Sequence, residues 1–456
     1  MTIALVLYLV ILLLIAGHSA RSVKDVPDFF VARKRASVRA VAGSLVATIL
    51  GGSAVIGAVD SGARLGGATS WFMLVGALGL LALIPFAGKA YSLGKYTLPD
   101  LVESLYGKGP KFVASIVIPV AWTGIVAAQI IAAAKLLMTF TAFDYTTAAI
   151  VSAVVFTGYT LAGGQQSILR TDFLQACLII FGLVVLAGFA MFSGAGASAA
   201  AGTGTALAML QNAPAFPFNA NFSPLDLFLL ILTYGTTYTA GPDIFSRMFC
   251  AKDVATAKRA IGLAACTLVP VAFIIGFLAV SGTGIEGVQG ARITAIADKV
   301  LPQPLIPLFA LALLSVVLSS ADTTLLSSSV ILCGLFGVGH SRQLAKARLV
   351  IFVNGIVALL LALVFTDIIG TLLLALAIYA GAFTVPILWG LLGLRAKPKF
   401  VAAAIIAGGT FALAGKLCPP LSFLPAGLGA HTGDILMIAA FVVNAACLAL
   451  GKVRNI

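Results

Sequence analysis

The stretch SVVLSSADTTLLSSS, from Ser315 to Ser329, sets eight hydroxyl side chains and the carboxylate of Asp322 inside an apolar run from about 305 to 335. A helix of this length can cross a bilayer, where each polar group without a partner costs several kcal/mol. Polar chemistry retained at that depth therefore predicts a binding site.

Helical spacing divides these groups between two neighbouring faces. One face holds Ser315, Ser319 and Asp322, and the other holds Ser320, Thr323, Thr324 and Ser327. All of the ligand atoms are oxygens. Oxygen ligands suit hard alkali and alkaline-earth cations, whereas transition metals prefer imidazole or thiolate.

The composition predicts an all-α polytopic membrane protein. Hydrophobic residues make up 61% of the chain and charged residues only 9%. Apolar runs repeatedly reach the ~20 residues that cross the hydrocarbon layer. We predict about thirteen transmembrane helices, at roughly 3–17, 41–59, 70–90, 112–139, 146–162, 171–193, 224–244, 258–281, 305–335, 347–365, 369–392, 400–416 and 433–450.

The net charge of +13 reflects membrane topology and does not predict a nucleic-acid partner. Of the 28 Lys and Arg residues, 23 fall in loops on one side of this arrangement. The positive-inside rule then places the N-terminus outside and the C-terminus in the cytoplasm of a bacterial-type inner membrane. Residues 3–17 could instead be a signal peptide, but no basic region precedes them, and an uncleaved anchor is favoured.

Two predicted spans carry helix breakers. The second contains Gly51 and Gly52, and the seventh contains Gly235, Gly241 and Pro242. Broken helices free backbone groups for ligands, and breaks five spans apart are typical of two inverted five-helix repeats, a LeuT-type core. The whole chain is then one transporter domain: a peripheral first helix at 3–17, a core at 41–392 with repeats at 41–193 and 224–392, and two peripheral helices within 400–450.

The order of several motifs resembles the sodium:solute symporter family, which includes bacterial sodium/proline, pantothenate and sialic acid carriers. The motifs are DFFVARK at 28–34, ILGGSAVIG at 49–57, YTLPDLVESLYG at 96–107, YTLAGGQQSILRTDFLQ at 159–175, GPDIFSR at 241–247 and LSSADTTLLSSS at 318–329.

The resemblance implies sodium-coupled symport by alternating access, with Na⁺ as the co-transported ion. It implies a sodium site formed by the carbonyls of Ala47, Leu50 and Val316 and the hydroxyls of Ser319 and Ser320. It also implies a second ion site or a coupling role for Asp172, which could instead cap its helix. We assign the same role to Asp322, because a carboxylate inside the membrane is costly.

For the solute we expect an amino acid or organic acid, in a pocket beside both breaks. The predicted lining is Gly52, Ser53, Gln129, Tyr234, Tyr238 and Gly241. Proline carriers of the family have an aspartate where this chain has Ile49, which argues against proline. Tyr234 and Tyr238 share a helical face and could wall the pocket or pack between helices. Lys135 either extends to the interface or pairs with a carboxylate.

Two other functions remain open: proton-coupled symport through Asp172 or Asp322, and a transporter-like membrane sensor. An enzyme is not expected, because the three histidines lie in loops or near span ends. The expected partners are a small solute, sodium and membrane lipid, with no nucleic acid and no obligatory protein partner.

Overall fold

The computed structural model describes residues 7–18 except 9, 13 and 16, then 26–192, 216–283, 285, 291–336, 343–417 and 432–453. These residues form helices joined by short turns, and their β-pairing is limited to isolated bridges such as Ala36 with Ala251. The chain is thus all-helical, as predicted.

The helices of the first half are α1 (Val26–Val31), α2 (Val38–Ile49), α3 (Ala58–Asp60), α4 (Gly62–Leu65), α5 (Ser70–Leu93), α6 (Leu98–Tyr106), α7 (Lys108–Phe140) and α8 (Tyr145–Phe192). Those of the second half are α9 (Pro224–Leu230), α10 (Thr236–Ala240), α11 (Pro242–Cys250), α12 (Val254–Ser281), α13 (Arg292–Val300), α14 (Ile306–Cys333), α15 (Gln343–Val364), α16 (Ile368–Leu391), α17 (Pro398–Leu417) and α18 (Thr432–Leu450). Two π-helical turns, Ser53–Gly57 and Ile231–Gly235, lie beside α2 and α9.

Within the described ranges, nine helices are long and apolar enough to cross a membrane, and a bent pair is a tenth candidate. The pair is α2 with Ser53–Asp60, which meet at 51°. The apolar helix Tyr145–Leu161 is shorter than these, and residues 224–250 are divided among several short elements. The predicted count of thirteen is therefore not confirmed.

Helix α14 lies at the centre of the bundle. It packs against α2, α7, α8 and α15, and its residues from Ser315 to Val330 are all buried. Because the neighbouring helices surround the hydroxyl-rich segment, its polar groups face protein and not lipid.

Helix α8 turns sharply at Gly164, whose φ of 58° lies in the left-handed region that favours glycine. The ring of Phe29 on α1 packs where a Cβ on Gly164 would lie. This bend separates the short apolar helix Tyr145–Leu161 from the longer segment Gly164–Phe192, which carries Asp172.

Candidate functional site

The first helix break brings α2 into direct contact with α14. Helical geometry ends after Ile49, and Leu50 has φ −78° and ψ 52°. A Cβ on Gly51 would collide with the side chain of Ser320. Glycine at this position therefore permits the close approach of the broken backbone to the hydroxyl face of α14.

Two serines of α14 bond to the carbonyls that the break exposes. The Ser319 hydroxyl donates to the Ala47 carbonyl at 2.9 Å, and the Ser320 hydroxyl donates to the Thr48 carbonyl at 2.8 Å. The Val316 carbonyl lies 3.4 Å from the Ser319 hydroxyl.

Most of the predicted sodium ligands are thus gathered at one place, at the junction of α2 and α14. Leu50 stands at the break itself, where its N–H bonds to the Val46 carbonyl. The Thr48 carbonyl is a further oxygen that the sequence prediction did not include.

Gln129 of α7 fills the hydrogen-bonding positions left open by the same break. Its Oε1 accepts from the Gly52 backbone N–H at 2.9 Å, and its Nε2 donates to the Ser53 hydroxyl at 3.4 Å. In this conformation the Gly52 amide is therefore engaged by protein. A solute group that needs it would have to displace Gln129.

The second break follows α10 at Gly241, which is extended at φ −68° and ψ 138°, and α11 begins at Pro242. The Tyr379 hydroxyl of α16 donates to the Ala240 carbonyl that this break leaves free. Gly235, which the sequence also suggested as a breaker, keeps helical dihedrals in a π-helical turn.

A small cavity of about 40 Å³ lies between the two breaks. Four predicted solute-site residues line it: Ser53, Gln129, Tyr234 and Tyr238. The other two, Gly52 and Gly241, lie at the breaks and are not part of the wall. Its lining also includes Trp122, Thr237, Asp243, Ser320 and Thr324, so Ser320 touches both the cavity and the predicted ion site.

A larger groove of about 660 Å³ between α7 and α15 is a less suitable solute site. Its wall is apolar apart from Thr123, Lys346 and Asn354, and includes the exposed side chains of Val120 and Leu349. Exposure of such residues on the rim of a bundle fits contact with lipid.

A buried charged cluster lies against the predicted sodium site. Arg247 of α11 and Asp172 of α8 are both fully buried, with Nη2 and Oδ2 3.6 Å apart. The Ser44 hydroxyl donates to Asp172, and Arg247 donates through Nε to Ser44 and through Nη2 to Thr323. Asp172 lies inside the helical segment Gly164–Phe192, away from its ends, and does not cap it.

The position of Arg247 corrects the sequence interpretation, which counted it among the basic loop residues. The predicted seventh span ended at 244, but α11 continues as a buried helix to Cys250. One feature of the sequence could have indicated this position. Arg247 lies one turn after Asp243 in GPDIFSR, and a basic residue so close to a membrane span can pair with an acid inside the membrane.

Asp322 is also fully buried. Its Oδ1 lies 3.4 Å from the Thr323 hydroxyl, while Oδ2 has no hydrogen-bond partner among the described residues. The hydroxyl of Thr324 donates to the Ser320 carbonyl. Lys135 is half-buried and lies within electrostatic range of Asp60, which keeps carboxylate pairing open for it.

Comparison with known proteins shows the family and the fold of this chain. The sodium:solute symporter family model matches residues 29–408. The chain belongs to the sodium:solute symporter family. This family assignment fits a transporter and not an enzyme.

Among curated proteins, the osmoregulated proline transporter OpuE of Bacillus subtilis is 24% identical over 97% of this chain and 92% of its own length. The human high affinity choline transporter 1 is 27% identical over 54% of this chain and 44% of its own length.

Solved structures show the same fold. A Na⁺-coupled sialic acid symporter in a substrate-bound outward-open state matches with a TM-score of 0.77 at 18% identity, covering 100% of this chain and 99% of that one. Mhp1, a nucleobase-cation-symport-1 family transporter, matches with a TM-score of 0.60 at 14% identity, covering 92% and 94%. The chain therefore has the predicted LeuT-type transporter fold.

Proposed function

We propose that this protein binds sodium between α2 and α14 and couples its entry to the import of a small organic solute. The family and fold support sodium-coupled symport in general. The names of the similar proteins refer to proline, choline and sialic acid, so they do not agree on one solute. An amino acid or organic acid in the cavity beside the breaks remains our proposal at this level.

The observation that carries the proposal is the pairing of two α14 hydroxyls with two α2 carbonyls. Each pair joins residues 272 positions apart in the chain. A sodium ion between these oxygens would exchange the hydrogen bonds for ion–oxygen contacts. The nearest oxygens are neutral, so binding stays weak enough for release into the cell.

Coupling follows from the location of these oxygens at a helix break. An ion that holds the Ala47 and Thr48 carbonyls to α14 also fixes the backbone that continues into the cavity wall at Ser53. In the proposed orientation the N-terminus lies outside and the C-terminus lies in the cytoplasm. A sodium ion that moves inward through 100 mV releases ~2.3 kcal/mol. That energy is available to accumulate solute.

Asp172 and Asp322 are proposed as a second ion site or as coupling residues. The specific observation for proton coupling is the buried Oδ2 of Asp322, which lacks a hydrogen bond among the described residues. A proton on this carboxylate would cancel its charge without a second metal ion. Solute uptake driven by a pH gradient in sodium-free buffer would favour this alternative.

The test is the thermal stability of the purified protein in NaCl against KCl of equal ionic strength. Saturation at ~100 times Kd adds ~2.7 kcal/mol of stability when only the folded state binds the ion. Ser319→Ala and Ser320→Ala should each weaken sodium binding by ~10–100-fold, since a hydrogen-bonding group facing a charge is worth ~1.5–3 kcal/mol.

Ser315→Ala is the matched control for this experiment. Ser315 lies one turn from Ser319, equally buried, but its hydroxyl bonds to the Tyr8 hydroxyl at 2.5 Å and to the Leu311 carbonyl. The control should keep the sodium response. Absence of any sodium-specific stabilisation in the unmodified protein would refute the site.

A further inference from the structure

The wall of the cavity combines aromatic rings with one carboxylate. Trp122, Tyr234 and Tyr238 supply the rings, and Asp243 supplies the charge. Tyr234 and Tyr238 have ring centroids 5.0 Å apart at 66°, and Phe72 meets Tyr234 edge-on at 6.0 Å. Because neighbouring rings pack on one another, the aromatic surface keeps a fixed shape.

Asp243 is held at the cavity by the second helix break. It follows Gly241 and Pro242 in the first turn of α11, and its side chain lines the cavity. Within the described ranges, Asp243 forms no salt bridge. Arg247, one turn along, donates to Ser44, Ser246 and Thr323 and pairs with Asp172 instead.

Arg247 and the phenols of Tyr234, Tyr238 and Tyr379 lie within electrostatic range of the Asp243 carboxylate. Because Arg247 pairs with Asp172, the Asp243 carboxylate can act as a counter-charge at the cavity wall. An ammonium group there would meet both the carboxylate and electron-rich rings, the combination that recognises such cations.

The indole of Trp122 adds a donor to this arrangement. The residue is 1% exposed, and its Nε1 has no hydrogen-bond partner among the described residues. Trp122 is fixed by an edge-on contact with Tyr379, with centroids 4.5 Å apart. An oxygen on the solute, a carboxylate or a hydroxyl, is the group that would satisfy this donor.

We propose that the transported solute carries an ammonium group, from primary to quaternary, which binds between Trp122, Tyr234 and Tyr238 with Asp243 as its counter-charge. The inference rests on the function proposed above and narrows it: amino acids, betaines and amino alcohols fit, whereas organic acids without an amine do not. The cavity must widen from about 40 Å³ to admit such a group, as expected when the bundle opens.

The test measures thermal stabilisation and sodium-dependent uptake in proteoliposomes, in constant NaCl, with KCl as the ionic control. The ammonium probes are choline, glycine betaine and L-alanine. Their comparators are 3,3-dimethylbutan-1-ol, the uncharged isostere of choline, and acetate. We expect at least one ammonium probe to bind. Both comparators should bind at least ~10-fold more weakly, because they lack the cation that contacts the rings and the carboxylate.

Asp243→Asn should weaken binding of the ammonium probe by ~10–100-fold while leaving the sodium-induced stabilisation unchanged. Asp226→Asn is the matched control, because Asp226 belongs to the exposed capping box of α9 and lies outside the cavity wall. If Asp243→Asn fails to fold, the comparison of choline with its isostere on the unmodified protein still tests the proposal.

The outcomes separate this proposal from the one before it. A sodium response together with binding of acetate alone, or with no response to any ammonium probe, would overturn the ammonium assignment and leave sodium coupling intact. Loss of the sodium response itself would overturn the proposed function instead.

Discussion

Replacing Arg247 with methionine should expose how the buried charges depend on one another. The substitution removes a guanidinium that is fully buried beside Asp172 and that also lies within electrostatic range of Asp322. Breaking a buried pair by removing one partner costs ~3–5 kcal/mol, because the remaining charge has no compensation. For 456 residues at ~2.1 cal/mol/K each, the unfolding entropy is ~1 kcal/mol/K, so we expect Tm to fall by ~3–5 °C.

The assay is a double-mutant cycle of Arg247→Met and Asp172→Asn, with Tm measured in potassium buffer so that sodium binding does not contribute. If the two groups stabilise each other, the double variant should lose clearly less than the sum of the two single losses. Arg259→Met, at an exposed arginine, is the control and should change Tm by less than ~1 °C. Strictly additive losses would show that the two charges are energetically independent and would refute this account of the cluster.

Two further substitutions test local features of the fold. Gly79→Ala would place a Cβ against the Gly235 carbonyl, so we expect a lower Tm and slower transport. Gly158 has open space where a Cβ would lie, so Gly158→Ala should match the unmodified protein in both measurements. Thr97→Ala removes the side-chain acceptor of a capping box with Asp100 and should lower the free energy of unfolding by ~0.5–2 kcal/mol. Thr97→Ser keeps a hydroxyl and should retain most of the stability. Equal loss of stability in both variants would contradict the capping role.

Much of the fold follows from length and polarity alone. A run as apolar as α12 has few other structures available, and the hydroxyls of α14 at helical spacing indicate a buried face. Glycines were less informative. Gly51 and Gly241 mark real breaks, but Gly235 remains helical. A π-helical turn tolerates this glycine. Hydropathy and composition cannot distinguish such a glycine from one that breaks a helix.

The site was predictable where local spacing and the family resemblance defined it, and not where distant segments meet. Ser319 and Ser320 could be expected beside the broken helix because the family resemblance implied it, and their hydroxyls donate to the Ala47 and Thr48 carbonyls there. Arg247 and Asp243 were missed, since each draws its importance from residues far along the chain: Asp172 pairs with Arg247, and the cavity wall that includes Trp122 surrounds Asp243. A charged residue at the end of an apolar run looks like the start of a loop until tertiary packing shows that it is enclosed.

The short segment 47–53 gives a physical route for coupling between ion and solute. The carbonyls of Ala47 and Thr48 contact α14 at the predicted ion site, and Ser53, two residues beyond Gly51, forms part of the cavity wall. An ion that favours one arrangement of this backbone changes the free energy of solute binding, and the solute must change ion affinity by the same factor. Gln129 bonds to both Gly52 and Ser53. We therefore expect these two hydrogen bonds to change when segment 47–53 moves between its ion-bound and ion-free arrangements. Sodium affinity should therefore rise when solute is present, and Gln129→Leu should reduce that increase even if each ligand still binds alone.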